Sequence, residues 1–96
     1  MMSEDNNIQS VNVTIVNKNG LHARPAMMLV DLANQFSSEI SIIKNDETVN
    51  GKSIMSLLTL AAECGSQLTI EAQGDDASQA IEKLVDLINS RFEEDE

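Results

Sequence analysis

One short segment holds three residues whose side chains and spacing suit phosphoryl chemistry. Residues 20–26 read Gly-Leu-His-Ala-Arg-Pro-Ala and contain the only histidine, His22, the only proline, Pro25, and one of the two arginines, Arg24. A neutral imidazole is a nucleophile, and a guanidinium is a planar, permanently charged group that matches phosphate oxygens. The segment is therefore a candidate site for a histidine that carries a phosphoryl group.

The same segment is predicted to open a helix. Pro25 favours the first helical turn, because its φ is fixed and its missing N–H would have no partner there. Apolar residues follow at helical spacing, namely Ala26, Leu29, Val30, Ala33 and Phe36. His22 is thus expected at or just before a helix N-terminus, where the first N–H groups and the helix dipole favour an anion. Arg24 conflicts with that dipole unless a phosphate lies between them.

Each of these residues also has an ordinary structural interpretation. A lone histidine before a helix is often a surface or capping residue, and Arg24 alone is as compatible with a solvated helix start as with a ligand clamp. The only cysteine, Cys64, is expected to be a small core or helix-end residue.

A second segment, residues 49–55, reads Val-Asn-Gly-Lys-Ser-Ile-Met. Ser53 is expected to cap a helix by accepting the N–H of Met55 or Ser56, and a phosphate at a helix start is favoured. Together the two segments resemble the active-site signature and the regulatory serine region of the HPr family, the histidine-containing phosphocarriers of the bacterial sugar phosphotransferase system. The resemblance covers residues 11–88, with both motifs in the family's order and spacing.

The resemblance implies a phosphocarrier, an intermediate in phosphotransfer rather than an enzyme. His22 would accept the phosphoryl group from enzyme I and donate it to IIA domains of sugar transporters, and Arg24 would stabilise the phosphate. Ser53 would be a regulatory phosphorylation site for an HPr kinase/phosphorylase. The residues expected to dock partners are Leu21, Met27, Lys52, Ile54 and Met55. Met28 fits either the core or this interface.

An alternative is a regulatory HPr-like binding protein that is controlled by Ser53 phosphorylation, without a main role in sugar transport. The presence of His22 counts against a purely regulatory role. An interaction domain without phosphoryl chemistry would require both motifs to be coincidental or relict. The chain also departs from many relatives, since Ser56 replaces a glycine and Asp31 and Asn34 lie on the exposed side of the first helix. Electrostatic steering toward an acidic partner should therefore be weaker.

Composition restricts the function further. The chain has 96 residues, 42% of them apolar, and we interpret residues 1–96 as one domain with a flexible leader (1–8) and a frayed acidic tail (93–96). The net charge of −10 argues against nucleic-acid binding. No apolar run is long enough to enter a membrane, no Cys/His cluster indicates a metal, and no cofactor is expected. The single cysteine and the polar, acidic start favour a cytoplasmic protein, and we expect a monomer.

The hydrophobic pattern predicts the order βαββαβα. Strands are predicted at residues 11–16, 40–44, 47–50 and 68–73, and helices at 23–36, 54–62 and 77–88. Residues 17–20 are turn material, and the second helix has one apolar face, formed by Ile54, Leu57, Leu58 and Ala61. Gly65 is expected to stop the second helix, and Asp76 with Gln79 reads as a capping box for the third. One apolar face per element favours an α+β two-layer open-faced sandwich, with helices on one side of a four-stranded sheet. The HPr resemblance implies the same fold, with an antiparallel sheet and three helices on one face.

Overall fold

The computed structural model describes residues 8–93 and has the predicted element order. The strands are β1 (Ile8–Thr14), β2 (Glu39–Lys44), β3 (Glu47–Asn50) and β4 (Gln67–Gln73). The helices are α1 (Ala23–Ala33), α2 (Ile54–Thr59) and α3 (Ala77–Asn89), followed by a short 3₁₀ turn at Arg91–Glu93. None of the helices in this described part is long and apolar enough to cross a membrane.

The four strands form one antiparallel sheet in the order β1-β4-β2-β3. Because side chains alternate along a strand, one face of the sheet is apolar and buried. Its buried residues are Val13, Ile40, Ile42, Leu68, Ile70 and Ala72. The opposite face carries polar residues such as Asn12 and Thr69, which hydrogen-bond to each other. The helices pack on the apolar face, so the predicted open-faced sandwich is confirmed.

Helix α1 buries Pro25, Ala26, Leu29 and Ala33, a stripe at the predicted spacing. The helix ends at Ala33, three residues before the predicted end. The next residues change to hydrogen bonds of the 3₁₀ type, since the N–H groups of Gln35 and Phe36 donate to the third residue back, Leu32 O and Ala33 O. This tightening satisfies carbonyls that the helix end leaves open.

Helix α2 also ends early, at Thr59, and the predicted stop at Gly65 is wrong. Ala61 already has a left-handed backbone, with φ of 51°, so the chain leaves the helix there. The Gly65 N–H instead donates to Ile15 O at 2.8 Å and belongs to the turn before β4. The ammonium of Lys44 reaches the open carbonyls of Leu60 (3.1 Å) and Ala61 (3.4 Å), and so caps α2 from a neighbouring strand.

The capping box predicted for α3 is wrong as well. Asp76 is the N-cap residue, but its side chain makes no capping bond. Its carboxylate instead accepts hydrogen bonds from the Ser38 hydroxyl, the Ser37 N–H (2.9 Å) and the Ser38 N–H (3.0 Å). These bonds, the Ser38 hydroxyl first and the Ser37 N–H next, lower the pKa of Asp76 from 3.8 to about 2. Gly74 permits the close approach, because a Cβ there would lie 2.6 Å from the Ser38 Oγ.

Both predicted chain ends need correction. The leader was expected to reach residue 8, but Ile8 is the first residue of β1 and pairs with Gln73; residues 1–7 lie outside the described residues. Glu93, predicted to begin a frayed tail, belongs to the 3₁₀ turn, and residues 94–96 lie outside the described residues. In that turn Phe92 has a φ of 56° and is fully buried, a core role that the hydrophobic pattern did not reveal.

Candidate functional site

The loop before α1 is clamped at both of its ends. Asn17 is fully buried; its side-chain N–H donates to Gly20 O at 2.7 Å, and the Gly20 N–H donates back to Asn17 O at 3.1 Å. The Leu21 N–H donates to Ala62 O at 2.8 Å. Gly20 has a φ of 70°, and a Cβ there would lie only 2.6 Å from that same carbonyl oxygen. Sequence reasoning treated Asn17 only as turn material, but the structure shows that it fixes the approach to His22.

His22 is the N-cap residue of α1. Its backbone is extended (φ −81°, ψ −172°), and its carbonyl accepts the Ala26 N–H at 2.9 Å. The side chain makes no capping bond and lies at an exposed position. The imidazole is therefore presented at the surface rather than used to close the helix.

The donors at this helix start come from a short stretch. Pro25 is the third residue of α1 and has no N–H, while the Ala26 N–H already donates to His22 O. The first-turn N–H groups directed out of the helix are therefore those of Ala23 and Arg24. The exposed Arg24 side chain adds a guanidinium at the same helix end. Two backbone donors and the helix dipole thus lie at the helix start that follows His22, and Arg24 is the second residue of the same turn, a set of groups suited to a phosphoryl group.

Ser53 is the N-cap residue of α2, which confirms its predicted capping role. Its hydroxyl accepts the Ser56 N–H at 3.3 Å. Lys52 is turned toward α1, since its ammonium donates to Phe36 O at 2.7 Å. The resemblance predicts that this lysine helps to dock partners, but its ammonium is bound to the Phe36 carbonyl in the turn after α1.

Helices α1 and α2 run in opposite directions side by side. The Leu21–Ala62 hydrogen bond joins the start of α1 to the segment after α2, and the Asn34 side chain donates to Lys52 O at 3.5 Å where α1 ends and α2 begins. His22 and Ser53 therefore lie at opposite ends of α1, whose 11 residues span roughly 16 Å at the usual helical rise. The structure does not bring the two motif residues together.

The expected docking residues separate into exposed and buried ones. Met27 is 54% exposed and Met55 is 71% exposed, while Ile54 is half-buried. Leu21 is only 4% exposed, because its N–H bond to the segment after α2 draws it into the core. Leu21 is predicted to dock partners, but so deeply buried a side chain offers a partner almost no surface.

Three further residues differ from their predicted surroundings. Leu58, predicted on the buried stripe of α2, is 38% exposed and lies beside the docking residues. Ala61 is exposed, since α2 has already ended there. Cys64 is exposed in the turn that follows α2, so its predicted core position is wrong. Met28, for which the sequence fits either the core or the interface, is half-buried.

No group of three or more His, Cys, Asp and Glu side chains in residues 8–93 is arranged to hold a metal ion. A shallow polar depression lies at the other end of α1 from His22. Its lining residues are Glu39, Ile40, Ser41, Asn50 and Lys52. The candidate phosphoryl site is thus an exposed helix start, not a cavity.

A small open-faced sandwich with an exposed histidine at a helix start defines a class of phosphoryl-carrying proteins, and comparison with known proteins agrees. A family model described as the PTS HPr component phosphorylation site matches residues 9–90. The chain is 48% identical over 84 residues to phosphocarrier protein HPr of Neisseria meningitidis serogroup A, covering 88% of this chain and 94% of that protein. It is 48% identical over 67 residues to the HPr-like protein Crh of Bacillus subtilis, covering 70% of this chain and 79% of that one.

A solved structure supports the same assignment. The crystal structure of HPr-C-His from Thermoanaerobacter tengcongensis matches with a TM-score of 0.89 at 45% identity, covering 92% of this chain and 99% of that one. The chain therefore belongs to the HPr family of the phosphotransferase system. The family resemblance and the fold expected from the sequence are both confirmed.

Proposed function

We propose that this chain is a phosphocarrier that accepts a phosphoryl group on His22 from phospho-enzyme I and donates it to IIA domains of sugar phosphotransferase systems. The observation that carries the proposal is the exposed His22 side chain at the start of α1, which makes no capping bond. This role places the protein in the cytoplasm as a monomer between two partners. It is a phosphotransfer intermediate rather than an enzyme, and it requires no cofactor.

The transfer follows from the geometry of the helix start. A neutral nitrogen of His22 attacks phosphorus, an N–P bond forms, and the bond from phosphorus to the donor's leaving atom breaks on the opposite side. Negative charge is spread over the three equatorial oxygens during this exchange. The Arg24 guanidinium and the N–H groups of Ala23 and Arg24 stabilise those oxygens. Donation to a IIA domain is the same exchange in reverse.

The partner face is formed by the exposed methionines of the two helices. Met27 on α1 and Met55 on α2 are the most exposed large apolar residues of the described chain. Ile54 and Leu58 extend this surface on α2. Flexible thioether side chains adapt to differently shaped partners, which suits a carrier that must dock on enzyme I and then on a IIA domain.

Phosphorus NMR tests the carrier role directly. The protein is incubated with phosphoenolpyruvate and the enzyme I of its own host, beside the His22→Ala variant. We expect an acid-labile phosphohistidine signal from the native protein and none from the variant. Ser53→Ala is the control, since it leaves the helix start intact and should still be phosphorylated. Transfer that survives in His22→Ala, or no signal from the native protein, would contradict the proposal.

A second candidate function rests on Ser53. Its position as the cap of α2, far along α1 from His22, provides a site that a serine kinase such as an HPr kinase/phosphorylase can modify independently. The chain would then act as a regulatory binding protein, with sugar transport secondary. A host phenotype in Ser53→Ala that is absent in His22→Ala would favour this role, and the reverse pattern would favour the carrier.

A further inference from the structure

We propose that Lys52 transmits the phosphorylation state of Ser53 to helix α1. In the unmodified protein the Lys52 ammonium holds the turn that follows α1, residues 34–36, through the Phe36 carbonyl; a phosphate on Ser53 draws it away and loosens that turn. The inference rests on the proposed regulatory modification of Ser53 and names the residue through which it acts.

Lys52 is joined to the end of α1 through two of its groups. Its ammonium donates to Phe36 O at 2.7 Å in a partly buried position. Its own carbonyl accepts the Asn34 side chain at 3.5 Å, and the same side chain donates to Val30 O at 3.0 Å within α1. The residue next to Ser53 therefore provides the polar link between the two helices at this end.

The turn after α1 takes its cation from Lys52 rather than from the helix itself. The helix has no basic residue in its own last turn, although a cation there is favoured by the dipole. In the turn after α1, the Gln35 N–H donates to Leu32 O (3.0 Å) and the Phe36 N–H donates to Ala33 O (3.2 Å), so each hydrogen bond reaches only three residues back. Loss of the ammonium removes its hydrogen bond to Phe36 O and, with it, a cation close to the end of the helix.

Phosphorylation changes which acceptor is best for the ammonium. Transfer of the γ-phosphoryl group of a nucleoside triphosphate forms an Oγ–P bond on Ser53, breaks the bond to the departing diphosphate and releases the serine proton to solvent. The new group carries nearly two negative charges and three acceptor oxygens. A charge-assisted bond to phosphate is about twice as strong as one to a neutral carbonyl, and Lys52 is the cation adjacent to Ser53 in the chain.

The surroundings allow the lysine to move. Its side chain lines the shallow polar depression shared with Glu39, Ser41 and Asn50, which leaves space beside it. The start of α2 also favours the phosphate, and the adjacent ammonium adds a full positive charge to that support.

Amide hydrogen exchange measures this coupling without any phosphotransfer. Phosphoserine is installed at position 53 during translation, in the native chain and in Lys52→Met, Lys52→Arg and Lys83→Met backgrounds. In the native chain we expect phosphoserine to speed exchange of the Gln35 and Phe36 amides by roughly 2- to 10-fold, the opening that loss of one hydrogen bond produces. The carbonyl ¹³C resonance of Phe36 should shift at the same time.

The variants separate the lysine from other effects of the phosphate. In Lys52→Met the two amides should already exchange faster, and phosphoserine should add nothing; Lys52→Arg and Lys83→Met should respond like the native chain. An equal response in Lys52→Met, or no response in the native chain, would overturn the proposal. Because the measurement does not involve His22, a failure here leaves the carrier function intact, and a failure of phosphotransfer leaves this result standing.

Discussion

Arg24 and Ser53 show how single residues at helix starts take on different chemistry. Arg24 is the second residue of α1 and brings a guanidinium to the end of the helix that already favours anions. In the absence of a phosphate this is an unfavourable place for a cation. Under the proposed carrier function a phosphoryl group on His22 resolves this conflict, so the contribution of Arg24 should be seen in transfer more than in folding.

We expect Arg24→Ala to slow phosphorylation of His22 by roughly 10- to 100-fold, the effect of losing one hydrogen bond to a charged group. Stability should change little. Arg24→Lys should recover part of the rate, since an ammonium keeps the charge but not the fork. Single-turnover transfer from phospho-enzyme I measures the rate, and urea unfolding controls for the fold. Transfer at the native rate in Arg24→Ala would show that Arg24 has no role in the phosphoryl site.

Ser53 contributes a measurable structural bond apart from any regulation. Ser53→Ala removes the acceptor of the Ser56 N–H and should lower the free energy of unfolding by about 0.5–1 kcal/mol, the low end for an N-cap because the bond is 3.3 Å long. Ser53→Asp keeps an acceptor and should cost less. Urea unfolding of both variants, with the exposed Ser78→Ala as control, checks the order; equal stability of all three would show that the cap contributes nothing.

Residue types in the two motifs were enough to predict the family and the two helix starts, but not the local packing. His22, Pro25 and Ser53 take the positions that their side chains favour at helix starts, because those preferences are local. The burial of Leu21 is not predicted, because it accompanies a hydrogen bond to Ala62, more than forty residues away in the chain. The contact of Lys52 is missed for the same reason, since its acceptor lies 16 residues away in the turn after α1.

At the scale of elements, the loop before α1 is the part that orients the histidine. Gly20 has a positive φ and packs against the backbone of Ala62 and Glu63, with no room for a Cβ. Gly65 also has a positive φ, but a Cβ there would meet nothing within 4 Å. Alanine substitutions at these two glycines can therefore distinguish the stability lost to an unfavourable backbone conformation from the stability lost when neighbouring atoms must move.

We expect Gly65→Ala to cost about 1–2 kcal/mol of stability, the penalty for a left-handed non-glycine residue. Gly20→Ala should cost more, because the backbone at 2.6 and 2.8 Å must also shift, and it should slow transfer to His22 by displacing the loop. Thermal unfolding and single-turnover transfer measure the two effects. If both variants lose the same stability and keep native transfer, the loop contact does not orient His22.

The helix ends show where element prediction fails. The pattern of apolar residues continues past Ala33 and Thr59, yet both helices stop there. Just beyond these ends, the carbonyls of Phe36 and Leu60 are bound by Lys52, which follows β3, and by Lys44, the last residue of β2. A sequence window contains no sign of such a long-range cap, whereas the starts are marked by local residues.

At the scale of the whole molecule, one carboxylate connects the start of α3 to a part of the fold that is distant in the chain. Asp76 at the start of α3 binds the Ser37–Ser38 turn that leads from α1 into β2. Local reasoning predicted a capping box for this aspartate, since nothing nearby in the chain shows that the turn packs against it. The contact is favourable only while the carboxylate is ionised, which makes the stability of the fold depend on pH.

Because the folded protein holds the pKa of Asp76 at about 2, below its ordinary value of 3.8, this contribution is present above about pH 4 and disappears as the pH falls toward 2. We expect Asp76→Asn to lower the urea midpoint at pH 7 and to flatten its dependence between pH 4 and 2. Asp86→Asn, which removes an exposed charge from α3, is the matched control and should retain the native slope. An unchanged slope in Asp76→Asn would show that other carboxylates cause the loss of stability at low pH.

The polar face of the sheet has a practical consequence for work with this protein. The histidine, the serine and the exposed methionines all belong to the helical layer or the loops beside it, so a sensor chip or dye attached through the sheet would leave partners free to bind. The native thiol is unsuitable for attachment, since the exposed Cys64 lies beside the Gly20 turn that leads into His22. A Cys64→Ser chain with a cysteine at the exposed Glu71, in the middle of β4, would orient every immobilised molecule with its reactive side outward.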